Sequence, residues 1–307
     1  VIESDTQRVT AGDKPRVSSH RGVPIATIRA RAIALATIAC VVAACADITT
    51  SPTAAASIEL VRDHAPAIVL GDSLRDANDQ VVPVRATVRN LKGDILAGAF
   101  PHYVYADGAR DTSVFVDSLT GYVVLLKPLD SLLVGITKTP SSTVRIAARY
   151  GNSLIVFDTV FVTPRPDSVD RNGATTVDTL TPALPDTVTG NARNTSIALS
   201  VAVRHIDSLS VATTVPKWLV KFELVQPANP SNDSLKGVYL VNDNGFASVL
   251  DTTDGSGNAA RYVRVRPSIF PSGTPTDSVV VRATVTFKGQ NVKGSPILIS
   301  VPVKKAS

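Results

Sequence analysis

Val, Ile and Thr alternate with charged side chains along much of this chain, and the alternation has a period of two. Val84-Arg85-Ala86-Thr87-Val88-Arg89 is a strict case, and Thr143-Val144-Arg145-Ile146-Ala147-Ala148-Arg149-Tyr150 and Ser278-Val279-Val280-Val281-Arg282-Ala283-Thr284-Val285 are looser ones. β-Branched residues at this spacing suit a half-buried strand, with one face towards a core and the other in water. Gly, Asn, Asp and Pro break the runs about every 8 to 12 residues, the rhythm of a β-sandwich. Beyond residue 57 no stretch carries a convincing helical stripe of apolar residues. Trp218, Val220, Phe222 and Leu224 share one parity while Lys217, Lys221 and Glu223 take the other. That pattern puts Trp218 on the core face of a central strand rather than on an exposed sugar-stacking surface.

The rhythm changes between residues 164 and 194. This stretch holds four prolines and many Asp and Thr, with little aliphatic alternation. It reads as an extended linker or as the first edge strand of the second half. On either side lie residues 57–163 and 195–307, each close to the roughly 100 residues of one sandwich. The turn Asp251-Thr252-Thr253-Asp254-Gly255-Ser256-Gly257-Asn258-Ala259, followed by Tyr262, Val263 and Val265 and then by Asp277 to Thr284, resembles bacterial Ig-like domains of the invasin and intimin type. Ile68-Val69-Leu70-Gly71-Asp72 resembles the aliphatic-Gly-Asp turn of a related group. The resemblance implies an all-β chain with two Ig-like antiparallel β-sandwich domains. It says little about role, because this fold hosts many functions.

Upstream of the strands the pattern is different. Arg21, Arg29 and Arg31 precede an uncharged run from Ala32 to Ala46. As a helix that run would span about 22 Å at roughly 1.5 Å per residue, short of the roughly 30 Å hydrocarbon core. It suits the apolar region of a signal peptide, with a buried helix and an uncleaved anchor as competing readings. Its end, Val42-Ala43-Ala44-Cys45, resembles the bacterial lipobox. The resemblance implies recognition of Val42, Ala43 and Ala44 by the signal peptidase, lipidation of the Cys45 thiol and cleavage just before it. Cys40 fits less well, since Thr37 stands where the aliphatic residue belongs. Ala46 after the cysteine implies, by the enterobacterial rule, passage to the outer membrane. Residues 1–44 are then a signal peptide and 45–56 a lipidated cysteine with a flexible tether. The first residue is Val1 rather than Met, so residues 1–19 either start from an alternative codon or precede the translated chain, and carry no structural expectation. Both cysteines fall in this region, so the processed chain would have no disulfide.

Charge narrows the picture further. The chain carries a formal net charge of +5, but residues 1–45 hold six basic and three acidic groups, leaving about +2 beyond Cys45. Those cations are scattered, without the clustering that releases counterions from phosphates, which disfavours nucleic acid as a partner.

Gly71-Asp72-Ser73-Leu74 resembles the nucleophile block of the GDSL esterases and lipases, which requires a histidine base. In that family the base follows an Asp by three residues. Here the residues three before His20, His64, His102 and His205 are Val17, Val61, Ala99 and Ala202. The family's Gly-x-Asn-Asp block is absent too, and a β-turn explains the motif better. Asp251, Asp254 and Asn258 suggest calcium only weakly, because the Asp-x-Asp-x-Asp-Gly loop and its distal Glu are missing. The histidines lack metal-ligand spacing. Tyr103 and Tyr105, beside His102 and Asp107, are the candidate ligand contacts. No catalytic residue, metal or cofactor is assigned. The expectation is a non-catalytic lipoprotein held at the cell envelope through its lipid, serving adhesion, spacing or scaffolding towards an envelope or extracellular protein or glycan. A ligand- or glycan-binding accessory module for an envelope enzyme is the alternative.

Overall fold

Period-two segments become strands throughout the computed structural model, which describes residues 54–107, 113–126, 142–173, 177–184, 194–268 and 276–304. Val42, Ala43, Ala44 and Cys45 lie outside the described residues. The first half contains β1 (Ala55–Val61), β2 (Ala67–Val69), β3 (Asp72–Ser73), β4 (Arg85–Asn90), β5 (His102–Tyr105), β6 (Val114–Val116), β7 (Val123–Leu125), β8 (Thr143–Tyr150) and β9 (Leu154–Thr163). One sheet runs β2-β9-β8-β5, with β2 parallel to β9 and the other pairs antiparallel. The other layer consists of β1-β4 and β3-β7-β6. Val144, Ile146, Ala148, Val160 and Val162 from the first sheet meet Leu74, Val84, Val123 and Leu125 from the second layer in one apolar core.

The second half contains β10 (Ser168–Asn172), β11 (Leu199–Ile206), β12 (Ala212–Thr214), β13 (Leu219–Gln226), β14 (Val238–Val241), β15 (Leu250–Thr252), β16 (Asn258–Val265), β17 (Thr276–Thr284), β18 (Thr286–Phe287), β19 (Gln290–Asn291) and β20 (Ile297–Lys304). Its sheets are β10-β11-β16-β14, with β12 attached to β11, and β15-β13-β17-β20. Lettered in chain order these are the A-B-E-D and C-F-G sheets of an immunoglobulin-like sandwich, with β15 added beside the C strand. The proline-rich stretch supplies the first edge. It forms β10 and then crosses to the opposite sheet, where Leu180 bridges in parallel to Val303. The protein is thus all-β, built as two Ig-like antiparallel sandwiches. Among the described residues no helix is long and apolar enough to cross a membrane.

Parity decides which side chains fill the second core. Val220 and Phe222 are fully buried, Trp218 and Leu224 nearly so, and Lys221 and Glu223 face out. Each such buried side chain contributes about 1.5–3 kcal/mol by leaving water.

One turn recurs. In the hairpins starting at Asp76, Asn90, Asp207, Asn242 and Asp254, the Asx side-chain oxygen accepts from the backbone N–H groups two and four residues on, at 2.8–3.1 Å. The fourth residue is left-handed each time: Asp79, Gly93, Ser210, Gly245 and Gly257. Three-residue hairpin loops of this kind need a left-handed residue to match the strand twist, and the Asx oxygen satisfies N–H groups the ladder cannot reach.

Gly93 and Gly257 occupy the same loop position but different surroundings. A Cβ at Gly93 meets nothing within 4 Å, whereas one at Gly257 meets the Val203 carbonyl oxygen at 2.7 Å. Gly93→Ala should cost about 1–3 kcal/mol, from the left-handed backbone alone. Gly257→Ala should cost a further ~1–3 kcal/mol through overpacking. Urea denaturation of the two variants checks the difference.

Candidate functional site at the junction of the sandwiches

The described segments belong to one unit, Pro52–Ser307, and the two sandwiches meet over a small polar cluster. From the first comes the Asp76 hairpin loop with Asp72 and Arg75. From the second comes the hairpin β18-β19, whose tip is Lys288-Gly289, both left-handed. Arg75 binds Asp72 with two parallel bonds, Nε to Oδ2 and Nη2 to Oδ1, each 2.9 Å, and donates Nη1 to the Asp79 carbonyl at 2.8 Å. Bidentate pairing of this kind fixes the guanidinium in one plane. Asp79 then crosses the junction, its Oδ2 accepting a short bond from the Gly289 backbone N–H. Lys288 Nζ lies 3.8 Å from Asp72 Oδ1. Asp72 and Asp79 are each only 7% exposed.

Three further contacts reinforce the seam. Thr163 Oγ1 donates to the Pro216 carbonyl at 2.7 Å. Lys217 Nζ sits 5.6 Å from the centroid of the Phe161 ring, within cation–π range. Val69 of β2 packs into the core of the second sandwich. In that core Trp218 meets Phe287 edge to face, with centroids 6.0 Å apart.

A cavity of about 240 Å³ opens at this seam. Ala67, Val69, Trp218, Leu219 and Leu250 give it apolar walls, and Asp72, Arg75 and Asp79 lie along one side. Burial pushes the Asp79 carboxyl above the ordinary carboxylate range. The Asp72 charge pushes the same way, against the Gly289 N–H and Arg75, which favour the ionised form. Arg75 is raised, chiefly by its bond to Asp72.

The strand β5 sets the orientation of the candidate ligand contacts. Tyr103 and Tyr105 both lie on the inward side of β5. Tyr103 is 6% exposed, a member of the first core, and its hydroxyl accepts from the Ala86 N–H at 3.0 Å. Tyr105 is half-buried against the same core. The pair therefore forms no exposed aromatic platform, because alternation turns both rings inward. What stands out there is Phe100 and Leu119, 77% and 72% exposed, around a depression that Tyr103 helps to line.

Ser73 lies in the short strand after the Gly71 turn and lines the junction cavity. Its nearest histidine in sequence, His64, has both ring nitrogens engaged, Nε2 with Asp158 at 2.7 Å and Nδ1 with the Ala65 carbonyl at 2.8 Å. Burial lowers the His64 pKa, but the bonds to Asp158 and Ala65 more than offset this and leave it raised. His205 is engaged by Asp167 at 2.6 Å. Asp251, Asp254 and Asn258 are committed to structure: Asp251 binds Arg261 and the Ala260 N–H, Asp254 closes its own turn, and Asn258 accepts from Asn172. Trp218 is in the core, as its parity requires, but it also faces the cavity.

Arg75, Asp79, Lys288 and Gly289 have no motif of their own in the sequence. One signal does mark the place. Among five equivalent loop positions, three hold Gly and one Ser, and Asp79 is the remaining one.

No protein-family model matches the sequence, and no curated protein does. Among solved structures the chain aligns with the Yersinia pseudotuberculosis adhesin InvE at 15% identity, covering 80% of this chain and 58% of that one, with a TM-score of 0.30. It aligns with the protocadherin GammaB4 extracellular domain at 15% identity, covering 81% and 32%, with a TM-score of 0.25. For the human desmocollin-1 ectodomain the values are 13%, 82%, 37% and 0.24. The chain thus spans between about a third and three fifths of the length of these proteins. The Ig-like assignment rests on the strand order of the sheets.

Because the fold favours protonated Asp79, its contribution to stability is full below the ordinary value of about 3.9 and is lost as pH rises through the higher folded value. Asn tolerates the left-handed conformation and keeps an oxygen for Gly289. The stability of the wild type relative to Asp79→Asn should therefore fall as pH rises from below the ordinary carboxylate value towards neutrality, as read by thermal unfolding in parallel buffers.

Proposed function

We propose that this chain is a non-catalytic lipoprotein of the bacterial cell envelope, anchored through Cys45, whose paired sandwiches act as a stiff spacer presenting an adhesive or scaffolding surface. The observation that carries the reading is the closed seam. Asp79 to Gly289, Asp72 to Lys288 and Thr163 to Pro216 join the sandwiches at separate points, and Val69 is shared with the second core. Contacts this distributed oppose hinge motion and suit a module that holds a partner at a set distance. On this reading the segment between Cys45 and β1 serves as the tether. Acylation at Cys45 supports the anchor physically, since stable attachment needs more than one acyl chain and the lipobox chemistry supplies two or three. An outer-membrane address is the form of this reading that Ala46 favours.

The second reading is an accessory module that binds a small ligand or glycan for an envelope enzyme. The cavity at the seam favours it, since an apolar concavity with a few polar groups is the usual form of a ligand site.

Expression in a bacterial host beside a Cys45→Ser variant separates anchor from leader. The wild type should begin at Cys45, carry the added mass of its acyl chains and enter the detergent phase. The variant should remain unmodified and stay in the aqueous phase. Intact-mass spectrometry showing residues 32–45 retained and unmodified in both chains would end the lipoprotein reading.

A further inference from the structure

We propose that the cavity at the seam is a binding site for a small amphiphilic cation, an amine carried on an apolar body about the size of an aromatic side chain. The site goes beyond the spacer role and does not depend on the lipid anchor.

Shape gives the first half of the argument. About 240 Å³ is the space of roughly eight waters at ~30 Å³ each, enough for one side-chain-sized group. Val69 and Ala67 on one side and Trp218, Leu219 and Leu250 on the other come from different sandwiches. An apolar body between them would remove from water surface that neither half covers alone.

Charge gives the second half. Asp72, Asp76, Asp79 and Glu223 line the cavity against two cations, Arg75 and Lys221. Lys288 and Arg282 approach Asp72 and Glu223 but are not among the residues that line it. Glu223 is neutralised at the rim by Lys221 and Arg282, at 2.9 and 2.8 Å, and Asp76 is held by two backbone N–H groups. What remains is Asp79, buried beside an Asp72 carboxylate that engages both Arg75 and Lys288. Arg75 gives its bidentate face to Asp72, and its Nε is 3.6 Å from Asp79 Oδ1. A buried carboxylate short of a counter-charge favours any cation that reaches it. Burial and the neighbouring Asp72 already hold Asp79 towards its protonated form, the state a bound ammonium would reverse. An anionic ligand would face the opposite field.

The protein contains one tryptophan, Trp218, and it faces the cavity, so its emission reports occupancy directly. The full chain is titrated with phenethylamine and, separately, with 3-phenylpropionate, which has the same ring and the opposite charge. Phenethylamine should shift or quench the Trp218 emission saturably and raise the Tm, because a ligand touching both halves binds only the closed seam. 3-Phenylpropionate should do neither at the same concentrations. Asp79→Asn and, as a second variant, Asp72→Asn should each weaken the amine, by about fivefold for Asp79→Asn, the effect of roughly one charge contact. Absence of a saturable response to phenethylamine overturns the proposal. An equal response to 3-phenylpropionate also overturns it, by making the cavity an apolar space without charge selection. Unchanged amine affinity in both folded variants would place the amine elsewhere and overturn it as well.

Discussion

Asp79 is held in a left-handed conformation with its carboxylate out of water, and each condition costs free energy. The backbone conformation alone is unfavourable by about 1–3 kcal/mol for a residue other than glycine. Burial of the carboxylate adds to this. The cost is offset only in part by bonds to the charged acceptor, worth about 1.5–3 kcal/mol each when well made, so that the carboxyl stays above its ordinary range. One comes from the Gly289 N–H, and Arg75 stands close by. The Gly289 bond is available only when the β18-β19 hairpin tip is seated on the Asp76 loop. The conformation of one residue is therefore stabilised by closure of the two sandwiches on each other, which couples a local turn to the arrangement of the whole molecule.

The surrounding architecture makes this coupling sharp. The Asp76 loop is short and fastened by its own Asx bonds, so it cannot adjust freely to a displaced partner. The opposing tip is a two-residue turn of the same stiffness. Between these rigid ends lie Val69, which belongs by chain to one sandwich and by packing to the other core, and Trp218, which closes that core against Phe287. Separation of the halves would expose both apolar side chains and break the Gly289 bond to Asp79. Strands β2, β13 and β15 supply much of the cavity's wall.

Much of the scaffold was legible in the pattern of residues. The run 143–150 is strand β8 from end to end, and the runs at 84 and 278 appear as β4 and β17 with ends shifted by one or two positions. The parity of Trp218, Val220, Phe222 and Leu224 identifies a core strand because alternation is a local property. The same rule, applied to Tyr103 and Tyr105, places both inside. Neighbouring His102 and Asp107 suggest a surface instead, and the strand overrides them. The seam was not legible, for a physical reason. Asp79 and Gly289 are 210 residues apart, and neither carries a motif, since a carboxylate and a backbone N–H are everywhere in a chain. The only local hint is that Asp79, like Ser210, stands at a left-handed loop position that the other three turns give to glycine. Ser73 shows the converse: a sharp local motif whose nearest histidine in sequence, His64, is engaged with Asp158 and Ala65.

The central claim is that the seam holds the sandwiches as one stiff body. Pulsed electron–electron resonance tests it most directly, with spin labels at Leu119→Cys on the first sandwich and Leu235→Cys on the second, both exposed positions, in a chain whose Cys40 and Cys45 are replaced by Ser. The account predicts a single narrow distance distribution at neutral pH. A broad or multimodal distribution would mean that the halves move independently and would contradict it.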